Sequence, residues 1–223
     1  NANAPKGGML RLGAQGTFDS FNNFIVKGNP AAGLNFLYDR LMHSSSDEAF
    51  SQYGQLAEFI TVPKDRTWVS FTLRAGAKWH DGEPVSVEDV IWTFNTLMKN
   101  GSPFYRFYYG NVQNVVKIGD RTVKFNFKKG ENRELPLILG QLNVLPKHFW
   151  RSRDFGKTTL DPPIGSGPYK IKTFEPGRSI TYERIKSWWG KDLPVNKGQY
   201  NFKNIQYDYY RDTTIALEAF KSG

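Results

Sequence analysis

The chain has 223 residues, 39% of them hydrophobic, enough for one large domain or two modest ones with their own cores, and this excludes a disordered tail. Cysteine is absent, so disulfides, thiolate chemistry and cysteine-held metals are excluded. Thirty basic against 21 acidic residues leave a formal charge of +9, which raises a nucleic acid or an anionic surface as a partner. The distribution argues against nucleic acid. Lys and Arg are scattered, Lys128-Lys129 and Arg151 to Arg153 being the densest groups, and nothing resembles a recognition helix, a zinc finger or an RNP motif. No apolar run reaches the roughly 18 to 20 residues of a membrane span, so no direct membrane insertion is expected. The opening Asn1-Ala-Asn-Ala-Pro-Lys-Gly-Gly8 reads as a mature amino terminus that has lost a signal peptide.

Along the chain, Met9 to Leu12 reads as a first strand and Phe18 to Lys27 as a loop. A helix is expected from Pro30 through Leu34, Leu37, Tyr38 and Leu41, interrupted by Ser44-Ser45-Ser46. Phe71 to Leu73 alternates like a strand that Ala75-Gly76 ends. Asp81-Gly82 supplies a turn, and Ser86 with Asp89 three positions on has the form of a capping box. The helix that follows carries Val87, Val90, Ile91, Phe94, Leu97 and Met98 at the spacing of one apolar face. Glu88 and Asp89 fall in its first turn, where the helix dipole favours negative charge.

The polar-aromatic run Gly101 to Gly110 comes next. Val115, Val116 and Ile118, the turn Gly119-Asp120, and Val123, Phe125 and Phe127 spell a hairpin with one apolar face. Glu134 to Leu142 and Pro146 to Trp150 suggest helices. Asp161 to Pro168 is too dense in Gly and Pro for regular structure and marks a hinge or boundary. Strands return at Tyr169 to Ile171, Ile180 to Arg184 and Ile205 to Tyr209, and Thr213 is a candidate cap for a last helix containing Ile215, Ala219 and Phe220.

Catalytic readings find little support. Asp81, Glu83, Glu88 and Asp89 lie on a turn and a helix start, where capping accounts for them, with no second group at a telling spacing. His43, His80 and His148 are isolated, so no metal site is expected. Gly165-Ser166-Gly167 lacks the completion of a phosphate loop, no Gly-x-Ser-x-Gly elbow occurs, and no cofactor is expected.

The order of residues says more than their spacing. Phe-Thr-Leu-Arg from Phe71, Lys-Trp-His-Asp-Gly-Glu-Pro-Val from Lys78 and Glu-Asp-Val-Ile-Trp-Thr-Phe from Glu88 closely resemble the signature of the extracellular solute-binding proteins of peptide ABC transporters. Gly7 to Gly13 is similar to that family's first strand and Asp19 to Asn22 to the loop after it. Tyr38-Asp39-Arg40-Leu41-Met42 is similar to its helix ending Tyr-Glu-Gly-Leu. Gly165 to Tyr169 is similar to its Gly-Thr-Gly-Pro-Tyr, and Trp188-Trp189-Gly190 to its Tyr-Trp-Gly. Asn132-Arg133-Glu134-Leu135-Pro136, Leu145 to His148 and Pro194-Val195-Asn196 further resemble the subgroup of oligopeptide and microcin C uptake.

The resemblance implies a mixed α/β, periplasmic-binding-protein-like, two-lobed fold, here the first lobe in part plus an inserted second region. Residues 1–43 and 165–223 would form the first lobe and 44–164 the insertion. Family members are much longer, which reads as an amino-terminal fragment that lacks the ligand-closing lobe, carried, if present, by a companion chain. The implied function is capture of peptides or peptide-like compounds in the periplasm and delivery to ABC permease subunits, with no reaction catalysed. A non-peptide ligand such as a haem, nickel chelate or sugar derivative is the alternative within the family.

By the same resemblance Val26, Lys27, Gly28 and Asn29 lend backbone groups to a peptide main chain, a role that suits Gly28 because a second backbone can approach it closely. A plain surface turn fits the same residues. Tyr105, Tyr108 and Tyr109, with Phe104 and Phe107, would offer a rim of rings toward the cleft, and packing under a loop is the rival account. Trp79, His80 and Asp81 are expected to hold the scaffold together.

Overall fold

A computed structural model describes residues 3–45, 47–130 and 133–222. Asn1 and Ala2 of the opening segment, Ser46 of the serine break, Asn132 of the Asn-Arg-Glu-Leu-Pro motif and the terminal Gly223 lie outside the described residues.

Two four-stranded sheets organise the chain. The first joins β1 (Gly7–Gln15) to β8 (Tyr169–Glu175), β9 (Ser179–Arg184) and β10 (Phe202–Tyr210), in the order β1-β10-β9-β8. β1 runs parallel to β10, pairing Gly7 with Phe202 and Gln15 with Tyr210, and the other pairs are antiparallel. A parallel pair needs a long crossover, and here nearly the whole of the rest of the chain supplies it. The second sheet is antiparallel, in the order β4-β5-β7-β6, from β4 (Ala57–Thr61), β5 (Trp68–Leu73), β6 (Val112–Gly119) and β7 (Thr122–Phe127). A small hairpin of β2 (Met42–Ser44) and β3 (Gln52–Gly54) lies between the sheets in sequence.

Helix α1 (Val87–Asn100) covers the second sheet. Its capping box is formed: the Ser86 hydroxyl accepts the Asp89 N–H at 3.2 Å, and the Asp89 carboxylate accepts the Ser86 N–H at 2.9 Å. Two donors that a helix start leaves without partners are thereby satisfied, worth about 1 kcal/mol for a good cap. Val87, Val90, Phe94 and Leu97 are buried, and Phe94 meets Phe125 of β7 edge-on at 5.5 Å. The other helices are short: α2 (Pro103–Tyr108), α3 (Leu135–Gly140) and α4 (Lys147–Trp150). The last, α5 (Thr213–Ser222), buries none of its side chains.

Several expectations need correction. The helix expected from Pro30 to Leu41 is only a single 3-10 turn, Leu34–Leu37. Gly33 before it takes φ 85° and Tyr38 after it is extended. A Cβ on Gly33 would stand 2.6 Å from the Tyr207 ring and 2.8 Å from that of Tyr182, so the chain there is fitted against the first sheet. Leu34, Leu37, Tyr38 and Leu41 are all buried; their spacing records burial of an irregular segment, not a helical face. The cap of α5 is Asp212, whose Oδ1 accepts the Ile215 N–H at 2.9 Å, while Thr213 is already helical. On β6 the buried apolar residue is Val112, whereas Val116 and Ile118 are exposed, because register shifts after Val112 and before Gly119 break the alternation on this edge strand. The hairpin β2–β3 and strand β4 had no clear sequence signal; their strands are short, and Phe59, Ile60 and Tyr53 are exposed.

The Gly- and Pro-rich segment 161–168 has no regular structure, but it is tightly bound. Ser166 is buried, and its carbonyl accepts the indole N–H groups of Trp188 (2.8 Å) and Trp189 (3.0 Å). Both indoles also donate to Asp39 Oδ2, at 3.4 and 3.0 Å, while Gln55 Nε2 donates to Asp39 Oδ1 at 2.8 Å. Burial pushes the Asp39 carboxyl up to about 7 against the pull of these donors. The Tyr-Asp-Arg-Leu, Gly-Ser-Gly-Pro-Tyr and Trp-Trp-Gly motifs, far apart in sequence, therefore meet at one buried polar node.

Candidate functional site

The loop after β1 has a buried base and an exposed tip. Phe18, Phe21 and Phe24 are buried, and the Asn22 side chain fixes the base by donating to the Phe155 carbonyl at 2.8 Å and accepting the Phe24 N–H at 3.1 Å. The returning arm of the loop is tied back at Asn29, whose N–H reaches Asp19 Oδ1 at 2.7 Å and whose carbonyl accepts the Asp19 N–H at 3.0 Å. Val26 is 73% exposed, and Lys27, Gly28 and Asn29 are exposed beside it.

Gly28 holds φ 78°, and a Cβ there would meet Thr158 Cγ2 at 2.5 Å and Asp19 Oδ1 at 2.7 Å. Among the described residues the backbone N–H and C=O groups of Val26, Lys27 and Gly28 have no hydrogen-bond partner. A rigid base thus presents a short run of free donors and acceptors to solvent.

The aromatic run is placed by the same loop. The Ser102 N–H donates to the Phe24 carbonyl at 2.9 Å, which sets α2 against the loop's base. Phe104 and Tyr108 stack with centroids 4.2 Å apart, and Tyr105 lies 6.1 Å from Tyr109. Tyr108 is exposed and Tyr105 half-buried, its phenol pushed up by burial to about 12.

Tyr109 does not form part of an exposed rim. It is 5% exposed, packs on Phe94 at 5.7 Å, and burial raises its phenol above the ordinary value. Its backbone N–H closes α2 on the Tyr105 carbonyl, so its ring turns inward. Tyr105, Tyr108 and Tyr109 nonetheless all line one cavity of 180 Å³, which Val26 to Asn29 do not line.

That cavity holds residues that the sequence did not single out: Arg40, Gln141 and Asn143. The only sequence signal for Arg40 is that it takes the glycine place of Tyr-Glu-Gly-Leu. Arg40 also borders a neighbouring cavity of 170 Å³ lined by Asp39, His43, Gln55 and Tyr200.

The acids near α1 are engaged locally. His148 Nε2 lies 2.8 Å from Asp81 Oδ2, Lys117 pairs with Glu88 at 2.7 Å, and Asp89 also accepts the Lys147 N–H at 2.9 Å. Among the described residues no cluster of three or more metal-ligating side chains occurs, and no helix is long and apolar enough to cross a membrane.

Residues 51–223 match the model of the bacterial extracellular solute-binding proteins, family 5, middle region. The chain is 46% identical over 230 residues to the probable peptide-binding protein YejA of Agrobacterium fabrum, covering 100% of this chain but 37% of that protein. Its structure is similar to that of the oligopeptide-binding protein AppA of Bacillus subtilis in complex with a nonapeptide, with a TM-score of 0.79 at 25% identity, over 98% of this chain and 43% of AppA. NikZ of Campylobacter jejuni in complex with Ni(L-His) shares the fold, with a TM-score of 0.77 at 22% identity over 96% of this chain and 42% of NikZ. The chain therefore spans well under half of the length of the proteins it resembles.

Proposed function

Because this chain belongs to the bacterial extracellular solute-binding proteins of family 5, receptors of transport and not enzymes, we propose that it is the ligand-capturing part of a periplasmic receptor for peptides or peptide-like compounds. The observation that carries this reading is the run of free backbone groups at Val26, Lys27 and Gly28. An extended peptide can add to such a run as a strand does, gaining affinity through main-chain bonds with little demand on side-chain identity. Gly28, at φ 78°, lets the second backbone come close. Asn29 anchors the run, and Tyr105 and Tyr108 receive side chains at the cavity against the loop's base. A relative named for peptide binding and a structural neighbour holding a nonapeptide support the same class.

In this reading residues 1–43 and 165–223 form the first lobe and 44–164 the inserted second region. Supporting it, the first sheet draws its strands only from residues 7–15 and 169–210, and the second only from 57–127. Capture proceeds by closure of a further lobe on the ligand, with no bond made or broken, followed by delivery to ABC permease subunits. That lobe would be carried by the remainder of the protein or by a companion chain. Oligopeptides and microcin-C-like compounds are the ligand class. The second reading, a nickel chelate or other non-peptide ligand, draws on the shared fold with NikZ in its Ni(L-His) complex.

Thermal-shift screening of the full-length receptor against mixed short peptides tests the proposal. A shift with uncharged peptides that persists at high salt is expected. No shift with any peptide would sink the reading, and steep salt-dependent affinity for DNA or RNA would transfer the chain to the nucleic-acid class.

A further inference from the structure

We infer that the cavity between the loop base and α2 is a side-chain subsite for an acidic residue, with Arg40 as its specificity-determining cation; this rests on the peptide reading above. The volume, 180 Å³, is below the about 300 Å³ at which cavities begin to take whole small ligands, so it suits a single side chain. Its walls are mainly aromatic and aliphatic, from Phe24, Tyr105, Tyr108 and Ile138, which favours the methylene stem of a glutamate over bulk water.

Among the described residues Arg40 is the sole charged one lining the cavity. It has no carboxylate within ion-pair distance among the described residues. Among the described residues its one side-chain bond is a long one, Nε to Asn143 Oδ1 at 3.4 Å. The neighbouring Asp39 does not neutralise it, because both Asp39 oxygens are turned to Gln55, Trp188 and Trp189. Within the cavity lining, Arg40 pulls the Tyr109 phenol down against the larger upward push of burial.

A guanidinium presents a planar fork of donors that matches a carboxylate with two parallel bonds, and Arg40, itself exposed, is open to an incoming side chain. Gln141 and Asn143 lie at the same cavity and can supply further amide donors. A cationic side chain would meet the same charge and be repelled, although aromatic walls alone would attract it. The expected order of preference is therefore Glu, then Gln, then Lys.

The test is calorimetric titration of the full-length receptor with alanine tripeptides carrying Glu, Gln or Lys at the first, second or third position. At one position Glu is expected to bind about tenfold or more tighter than Gln, with Lys weakest. Arg40→Gln should erase the Glu preference, so that the Glu and Gln peptides bind within about twofold of each other, Arg40→Lys should keep part of it, and Arg40→Glu should favour Lys over Glu. Melting temperatures of the variants confirm that they are folded. Equal affinity for Glu and Gln at every position, or a preference that survives Arg40→Gln, overturns the inference while leaving the peptide reading intact. Failure of the wild-type receptor to bind any of these peptides overturns both.

Discussion

His80 Nδ1 accepts the backbone N–H of Gly165 at 3.2 Å, and that bond fixes the tautomer of the ring. With Nδ1 occupied as an acceptor, the proton sits on Nε2, which lies 2.9 Å from the Gly167 carbonyl and donates to it. The His80 N–H completes the clasp on the Gly165 carbonyl at 2.8 Å. A neutral imidazole thus ties the turn before α1 to the segment that leads into β8.

Burial is the main cause that lowers the His80 pKa, with Lys170 adding to it and the Gly167 bond opposing. The unfolded chain then takes up a proton more readily than the folded one, so the contribution of His80 is fully present above the ordinary value of 6.5. It is lost as pH falls below that value and through the lowered folded one. Urea unfolding at pH 7.5 and pH 5 should show wild type losing more stability on acidification than His80→Phe, which should itself cost about 1–3 kcal/mol at the higher pH through the bonds left unmade. Parallel pH profiles for the two proteins would contradict this.

Asp39 carries the opposite sign. Its carboxyl is pushed from 3.8 up to about 7, so the folded state holds a proton that the unfolded chain has released. The stability it contributes is complete below pH 3.8 and declines as pH rises toward 7. Asp39→Asn should flatten that decline relative to wild type, and should cost about 1–3 kcal/mol near pH 4 because its amide cannot accept from both Gln55 and the two indoles. Melting temperatures of the pair between pH 4 and pH 7.5 are the measurement; a constant difference across that range would contradict the assignment.

Gly28→Ala should damage binding and stability together. A non-glycine residue in the left-handed region costs about 1–2 kcal/mol, and the added Cβ would meet Thr158 Cγ2 at 2.5 Å. In the full-length receptor peptide affinity should fall further than for Lys27→Ala, which removes a side chain and leaves the backbone free. Equal affinities for the two variants would move the main-chain contact away from this loop.

The sequence was explicit wherever one local rule governed one element. Ser86 and Asp89 specified the start of α1, Asp120 the turn between β6 and β7, and the ordered motifs the family; each depends on residues a few positions apart. The seven candidate ligand residues were legible only through the resemblance, and the structure sorts them: Val26 to Asn29 at an exposed tip, Tyr105 and Tyr108 at a cavity mouth, and Tyr109 packed on Phe94. Arg40 showed in the sequence only as a departure from Tyr-Glu-Gly-Leu, which says nothing of its role, since its surroundings come from residues 24, 105 and 143.

Sequence by itself determined the family, most strands of the two large sheets and the capped start of α1, because hydrophobic period and capping chemistry act over a single turn or strand. Only tertiary structure decided that Leu34 to Leu41 holds no more than a 3-10 turn, that Asp39, Ser166, Trp188 and Trp189 share one node, and that Arg40 stands, among the described residues, without a partner acid at an aromatic cavity. The physical reason is the same in each case. Burial and electrostatic pairing are set by whatever the fold brings within a few ångströms, and sequence separation carries no information about that distance.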